Sequence, residues 1–558
     1  MNRAPLFSAA VGRRLAHRLA WWVAPALLAA CASHPRPPAS APVPSDTAGT
    51  SAGSAAPATA APASPGARPP LPEEPPPPSR ITPDAPFREQ PPAPGPEAVF
   101  TVPKFKRFKL KSGIPVILSE VHDLPLVEMH LVVKTGGGAN PPGAAGLADL
   151  TANMLDEGTK TRSAIDIAEQ VGALGATLAT GASWDASTVS LSTIARSFDA
   201  ALAIWADVIM QPAFSEKELA RVRDNLVTAV SRRKDSPPTV ATLVFARLLF
   251  GDRHPYAWPQ TGIEDTLKKL SAADVRKFYE AYYRPNNAAI IVAGDISEGE
   301  LRRKLEGALR TWKPGRISPP PIPAPPALDK QRIVLVDKPG APQSSIRVGF
   351  PGVKRTDPDY FAILLMNQIL GGSFYRLDMN LRERQQWTYG ARSAFEMRRT
   401  LGPASAGGEF VAPHTADAVA EILKEMRTMA TTEVSDEELG RAKDNFAKAF
   451  PARFATRATT AALLGELAVY GLPDSFPANY VKNIQAVTKG DISKAARRFL
   501  MTDKMLIVVV GDRATQEAPL GKLGTLELRD LDGAPLPPRP AGGKDAASGK
   551  GAAAGGQD

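Results

Sequence analysis

Residues 198–226 read FDAALAIWADVIMQPAFSEKELARVRDNL, and residues 415–446 read TADAVAEILKEMRTMATTEVSDEELGRAKDNF. Each stretch opens with a helix-period apolar segment, breaks, and resumes with an amphipathic segment that closes on Asp-Asn-apolar. Asp224-Asn225 answers Asp444-Asn445, an offset of 444 − 224 = 220. Further along, LSAADVRKFYEAYYRPNNAAIIVAGD aligns with VTKGDISKAARRFLMTDKMLIVVVGD, and Asp295 answers Asp512 at 512 − 295 = 217. Helices and a closing strand that return at nearly constant spacing mark a tandem duplication.

Working outward, the first copy occupies residues 101–315 and the second residues 330–515. Between them, residues 316–329 include Ser318-Pro-Pro-Pro-Ile-Pro-Ala-Pro-Pro326, a stiff linker. Segments such as Ile114–Leu118 and Val127–Val133 read as strands, and Ala200–Met210 and Glu216–Arg232 as helices. Alternating strands interleaved with helices predict an α+β half, with helices packed on one face of a largely antiparallel sheet.

The flanks differ in character. Of the 558 residues 55 are proline, and they crowd between Pro35 and Pro96. Residues 32–100 therefore read as an extended spacer with little to bury, and residues 516–558 as a mostly disordered tail. The net charge is +10, with Lys and Arg scattered among acids. Without a basic block interleaved with aromatics, a nucleic-acid partner is not expected. Arg3, Arg13, Arg14 and Arg18 precede the apolar run Leu19–Ala30, which suits a signal segment and is short for a membrane span. The run ends in Leu28-Ala29-Ala30-Cys31, which resembles a bacterial lipobox, so residues 1–31 are expected to be a lipoprotein signal peptide with Cys31 as the lipidated residue. Cys31 is the only cysteine, which excludes intrachain disulfides and Cys-based zinc sites. No aspartate follows it, so the resemblance implies the outer membrane, facing the periplasm.

Three segments carry a more specific resemblance. They are Gly146-Leu-Ala-Asp-Leu-Thr-Ala-Asn-Met-Leu-Asp-Glu-Gly-Thr159, His254-Pro-Tyr256, and Gly371-Gly-Ser-Phe-Tyr-Arg-Leu-Asp-Met-Asn-Leu-Arg382 running on to Tyr389-Gly390. With tandem halves of this size, the chain resembles the M16 (insulinase/pitrilysin-like) metallopeptidases over most of Phe105–Asp512. The resemblance implies halves closed like a clamshell around a peptide-holding chamber. It also implies an active-site helix bearing H-x-x-E-H, with a further glutamate downstream. Residues at i, i+3 and i+4 share a helical face, so two histidines can hold zinc while the glutamate activates water. Here Asp149, Ala152 and Asn153 stand at those positions, and Ala229 stands by register at the downstream glutamate. One carboxylate and one amide make a poor zinc site, and Ala152 cannot take a proton from water. The chain is thus expected to hold no metal and not to be catalytic alone. His122, His130, His254 and His414 lack ligand-like spacing, and His17 and His34 fall in the leader and spacer.

The second half matches the family's arginine-then-tyrosine motif at Arg382 and Tyr389. The resemblance gives these residues substrate contact or oxyanion stabilisation in the active site, and a guanidinium and a phenol both donate hydrogen bonds. The alternative is a surface charge at Arg382, paired with Glu383 or Asp378, and a strand residue packed on the sheet at Tyr389. Some bacterial members of the family divide zinc and Arg/Tyr between two chains. This sequence resembles the second kind, implying a zinc-bearing M16 subunit as partner and peptide or unfolded protein as substrate. A peptide-binding chaperone or scaffold is the rival; Gly175–Thr193 reads either as an edge strand that seats the peptide or as an ordinary paired strand.

Overall fold

The apolar runs 288–294 (AAIIVAG) and 506–511 (LIVVVG) form the central strands of two six-stranded sheets. They are seen in a computed structural model that describes residues 100–537; the leader with Cys31, the spacer up to residue 99 and residues 538–558 lie outside the described residues. The first sheet contains β1 (Lys106–Lys109), β2 (Pro115–Glu120), β3 (Leu126–Val133), β4 (Thr177–Ala182), β5 (Ser187–Ile194) and β6 (Ala288–Gly294), in the order β1-β2-β6-β3-β5-β4. The second contains β7 (Arg332–Asp337), β8 (Gln343–Pro351), β9 (Thr388–Phe395), β10 (Pro403–Val411), β11 (Leu506–Gly511) and β12 (Leu526–Arg529), in the order β12-β7-β11-β8-β10-β9. The duplication read from the sequence is plain in the pairing. β6 runs parallel to β2 and antiparallel to β3, and β11 runs parallel to β7 and antiparallel to β8. Most other pairs are antiparallel, as expected for an α+β half.

Seven helices position the joint and the sites: α1 (Leu147–Asn153), α2 (Glu216–Ser231), α3 (Pro237–Phe250), α4 (Tyr360–Gly371), α5 (Thr415–Thr431), α6 (Arg457–Tyr470) and α7 (Arg513–Gly521). α3 and α6 are the duplicated counterparts, starting 457 − 237 = 220 positions apart. Each crosses to the other half. Val240, Val244 and Leu249 of α3 pack on Val334, Val508 and Val510 of the second sheet. Ala461, Leu464 and Leu467 of α6 pack on Ile117, Val132 and Ile291 of the first. Both faces of β6 and β11 are therefore covered, which is why their sequences are continuously apolar.

The centre of the joint is filled. Buried Asp185 accepts hydrogen bonds from the Tyr256 hydroxyl (3.4 Å), the Tyr470 hydroxyl (3.0 Å) and the Arg399 amide (2.9 Å). The Arg398 guanidinium lies over Trp184 and Tyr256, at 4.4 and 4.5 Å from the ring centroids. The segment His254-Pro-Tyr256 thus belongs to the seam between halves. Burial, helped by Arg398, pushes the His254 imidazole down to about 4, and its Nδ1 accepts from the Tyr256 amide at 3.0 Å.

The linker 316–329 has no regular structure, but Ile317 and Leu328 pack against the cores at its two ends. One boundary requires correction. The tail expected from residue 516 onward begins later: α7 runs to Gly521, and β12 pairs in parallel with β7. Leu520, Leu526 and Leu528 pack with the core and supply the contact that completes the sheet edge.

Candidate functional site

α1 begins at Gly146, whose φ of +94° and approach to Gly262 leave no room for a Cβ. The buried Asn140 side chain accepts the Ala148 amide at 2.9 Å and holds the helix entrance. Asp149 and Asn153 share one face, and Asn153 Nδ2 donates to Asp149 Oδ2 (3.2 Å) and to the Asp149 carbonyl (2.9 Å). Asp149 is 8% exposed. Burial pushes its carboxyl up to about 6, against the smaller opposing pull of the Asn153 amide and of Arg233. Ala152 is fully buried. Ala229 is exposed on α2, one turn beyond Asn225.

These residues do not fit zinc. Ala152 and Ala229 carry no donor, and Asp149 is committed to Asn153 inside the fold. Among the described residues, no three or more His, Cys, Asp or Glu side chains are gathered so as to hold a metal ion.

A shallow concavity of about 490 Å³ lies beside this helix, lined in part by Asn153, Asp156, Glu157, Thr180, Arg221 and Asn225. Asp156 is pushed up by burial and accepts from the Thr180 hydroxyl at 3.3 Å; Glu157 pairs with Arg221. Thr180 belongs to β4, an edge strand of the first sheet, so an edge does fall within Gly175–Thr193. All the lining residues come from the first half, and Arg382 and Tyr389 are not among them.

The second site is built where α4 ends. Gly371 lies so close to β9 that a Cβ there would sit 2.1 Å from the Ser393 amide nitrogen. The chain then turns through Phe374, which has a φ of +60°, and winds residues Met379–Arg384 as a π-helix. Asn380, buried beneath, donates to Glu421 and Glu425 of α5, both at 2.8 Å. Arg382 is half-exposed, with Asp378 at 3.8 Å, Glu383 at 3.4 Å and the Phe374 ring centroid at 5.5 Å. The pairing with Asp378 and Glu383 foreseen for a surface charge is therefore present. Tyr389 is 92% exposed on the edge strand β9 and does not pack on the sheet. The guanidinium and the phenol both face outward as donors.

The other histidines have separate duties. His122 Nδ1 meets Asp295 at 2.6 Å, His130 Nε2 meets Glu128 at 2.6 Å, and His414 stacks on Trp387 at 4.9 Å. Reading the sequence did not single out Phe374, whose backbone conformation leaves no mark in composition, or Asp185, whose partners come from distant segments.

The family's sequence model described as "Insulinase (Peptidase family M16)" matches residues 116–249, and the one described as "Peptidase M16 inactive domain" matches residues 269–446. The chain belongs to peptidase family M16. Its resemblance to a crystallised peptidase M16 inactive domain from Pseudomonas fluorescens extends over 73% of this chain and 98% of that one, at 27% identity and a TM-score of 0.69. The non-peptidase homolog YmxG of Helicobacter pylori is 21% identical over 405 residues, covering 72% of this chain and 93% of the relative. An uncharacterised zinc protease of Streptomyces coelicolor is 24% identical over 351 residues, covering 60% of this chain and 74% of the relative. Both matched models belong to family M16, and the set Asp149, Ala152, Asn153 and Ala229 does not fit zinc.

Proposed function

We propose that this M16 chain is the zinc-deficient subunit of a heteromeric metallopeptidase acting on peptides or unfolded proteins. Its second half completes the active chamber of a separate zinc-bearing M16 chain. One observation carries the reading: Arg382, half-exposed beside Asp378 and Glu383, and Tyr389, exposed on the edge strand β9, both present donors outward, while among the described residues no group of His, Cys, Asp or Glu side chains is gathered to hold a metal ion. In the partner's site the two donors stabilise negative charge developing on the scissile carbonyl oxygen. Lipidation at Cys31 anchors the subunit at the outer membrane on its periplasmic side. Cys31→Ala should move the protein from the membrane to the soluble fraction, and continued membrane retention would count against the anchor.

A second reading is favoured by the open edge of β4 beside the α1 concavity. There an extended peptide adds a strand without being cut, and the chain serves as an envelope chaperone or scaffold.

Affinity purification from the protein's own cells, followed by mass spectrometry and zinc determination, separates the two readings. The first predicts a near-stoichiometric chain carrying H-x-x-E-H and about one zinc per pair. Recovery of this chain alone, or with unrelated envelope proteins and no zinc, overturns it in favour of the second.

A further inference from the structure

Asp378 is fully buried, four residues before Arg382. Its Oδ2 accepts the Phe374 amide at 2.9 Å, and its Oδ1 pairs with the Arg392 guanidinium. Arg382 Nη1 stands 3.8 Å from the same carboxylate. Burial alone would raise the carboxyl, but the Phe374 amide and the Arg392 guanidinium outweigh it and hold it below its ordinary value. A buried carboxylate is tolerated only when paired, and removing its partners is costly. Here the partners are unusual in kind. Arg382 and Arg392 are 39% and 45% exposed, so the negative charge is inside while both guanidinium groups keep open faces.

The other attachments tie the same group together. The Phe374 carbonyl accepts from Arg441 at 2.8 Å, so the backbone is held on both sides of a residue at positive φ. A non-glycine residue in that region is uncommon and strained. The Phe374 ring is 55% exposed, and Arg382 lies over it. Arg392 sits three residues beyond Tyr389 on β9. One carboxylate therefore connects the turn that supports Arg382, Arg382 itself, and the strand that presents Tyr389.

We propose that Asp378 is the positioning residue of the Arg382/Tyr389 site, fixing the two donors as one unit. The inference rests on the reading that this pair serves a partner's active site. The test uses the complex retrieved through this chain, with fluorescein-labelled β-casein as probe, and compares Arg382→Ala, Asp378→Asn and the double variant. Each single substitution is expected to lower kcat about tenfold, the scale of a mispositioned donor. KM should stay within about twofold, and the double variant should be no slower than Arg382→Ala, because the two residues act as one unit. Losses that multiply in the double variant, or wild-type kcat in Asp378→Asn, overturn the role of Asp378 and leave the site reading standing. Wild-type kcat in Arg382→Ala overturns the site reading, and this inference with it. If Asp378→Asn does not assemble, Arg392→Gln carries the test. It removes the guanidinium that pairs with Asp378 from β9 and leaves Asp378 in place. At unchanged partner recovery kcat should fall about threefold, a small part of a donor's contribution; unchanged kcat overturns the inference.

Discussion

Asp149, which the resemblance of the sequence sets at the first histidine of an M16 active-site helix, lies in surroundings that disfavour its charge. With a folded-state value of about 6 against an ordinary 3.8, the native protein holds a proton there that the unfolded chain releases. Its contribution to stability is full below about pH 4 and is lost as pH rises through about 6. At neutral pH the ionised group costs up to about 3 kcal/mol, two pH units of differential protonation. Asp149→Asn, which keeps an oxygen for Asn153 and carries no charge, should raise stability by about 1–3 kcal/mol at pH 7.5 and hardly change it at pH 4. Denaturant titrations at both values test this, and an equal effect at the two would refute it. That Asp149 and Asn153 share a face could be read directly from the sequence, because helical spacing puts residues four apart on one side. Asp378 could be read only as a surface partner for Arg382, since a one-dimensional pattern of charges does not say which of them is covered.

At the scale of elements, the duplication was readable because helix-period segments and the closing strand repeat at constant offset. The exchange of α3 and α6 was not. An apolar stripe states that a helix has a buried face but not which sheet it covers. The same gap explains the single-faced sheet expected from alternation: β6 and β11 are apolar on both faces because each is covered by helices from both halves. Leu464 of α6 lies in the joint, packed with strands of the first sheet. Leu464→Ala should cost about 2–5 kcal/mol. It should leave a single unfolding transition by far-UV circular dichroism and tryptophan fluorescence, since one face of each sheet is covered by the other half's helix. Two separated transitions in the wild type or the variant would show that the halves are independent.

On the scale of the whole molecule, the chain keeps M16 architecture while the surroundings of Asp149 and of the Arg382/Tyr389 pair differ in character. Asp149 and Ala152 are buried, with Asp149 hydrogen-bonded to Asn153, and Tyr389 stands open at a sheet edge. The halves of this chain meet through a filled seam around Asp185, and the α1 concavity draws its lining from the first half alone. Arg382 and Tyr389 do not line that concavity, and in the proposed function they act on a second chain. The most direct measurement is peptide turnover per bound zinc by the complex purified through this chain, wild type against Tyr389→Phe. Removing one donor to a developing oxyanion should lower kcat by about 10²-fold at unchanged zinc content and unchanged partner recovery. Wild-type turnover in that variant, with the complex intact, would contradict the claim that this chain completes its partner's active site.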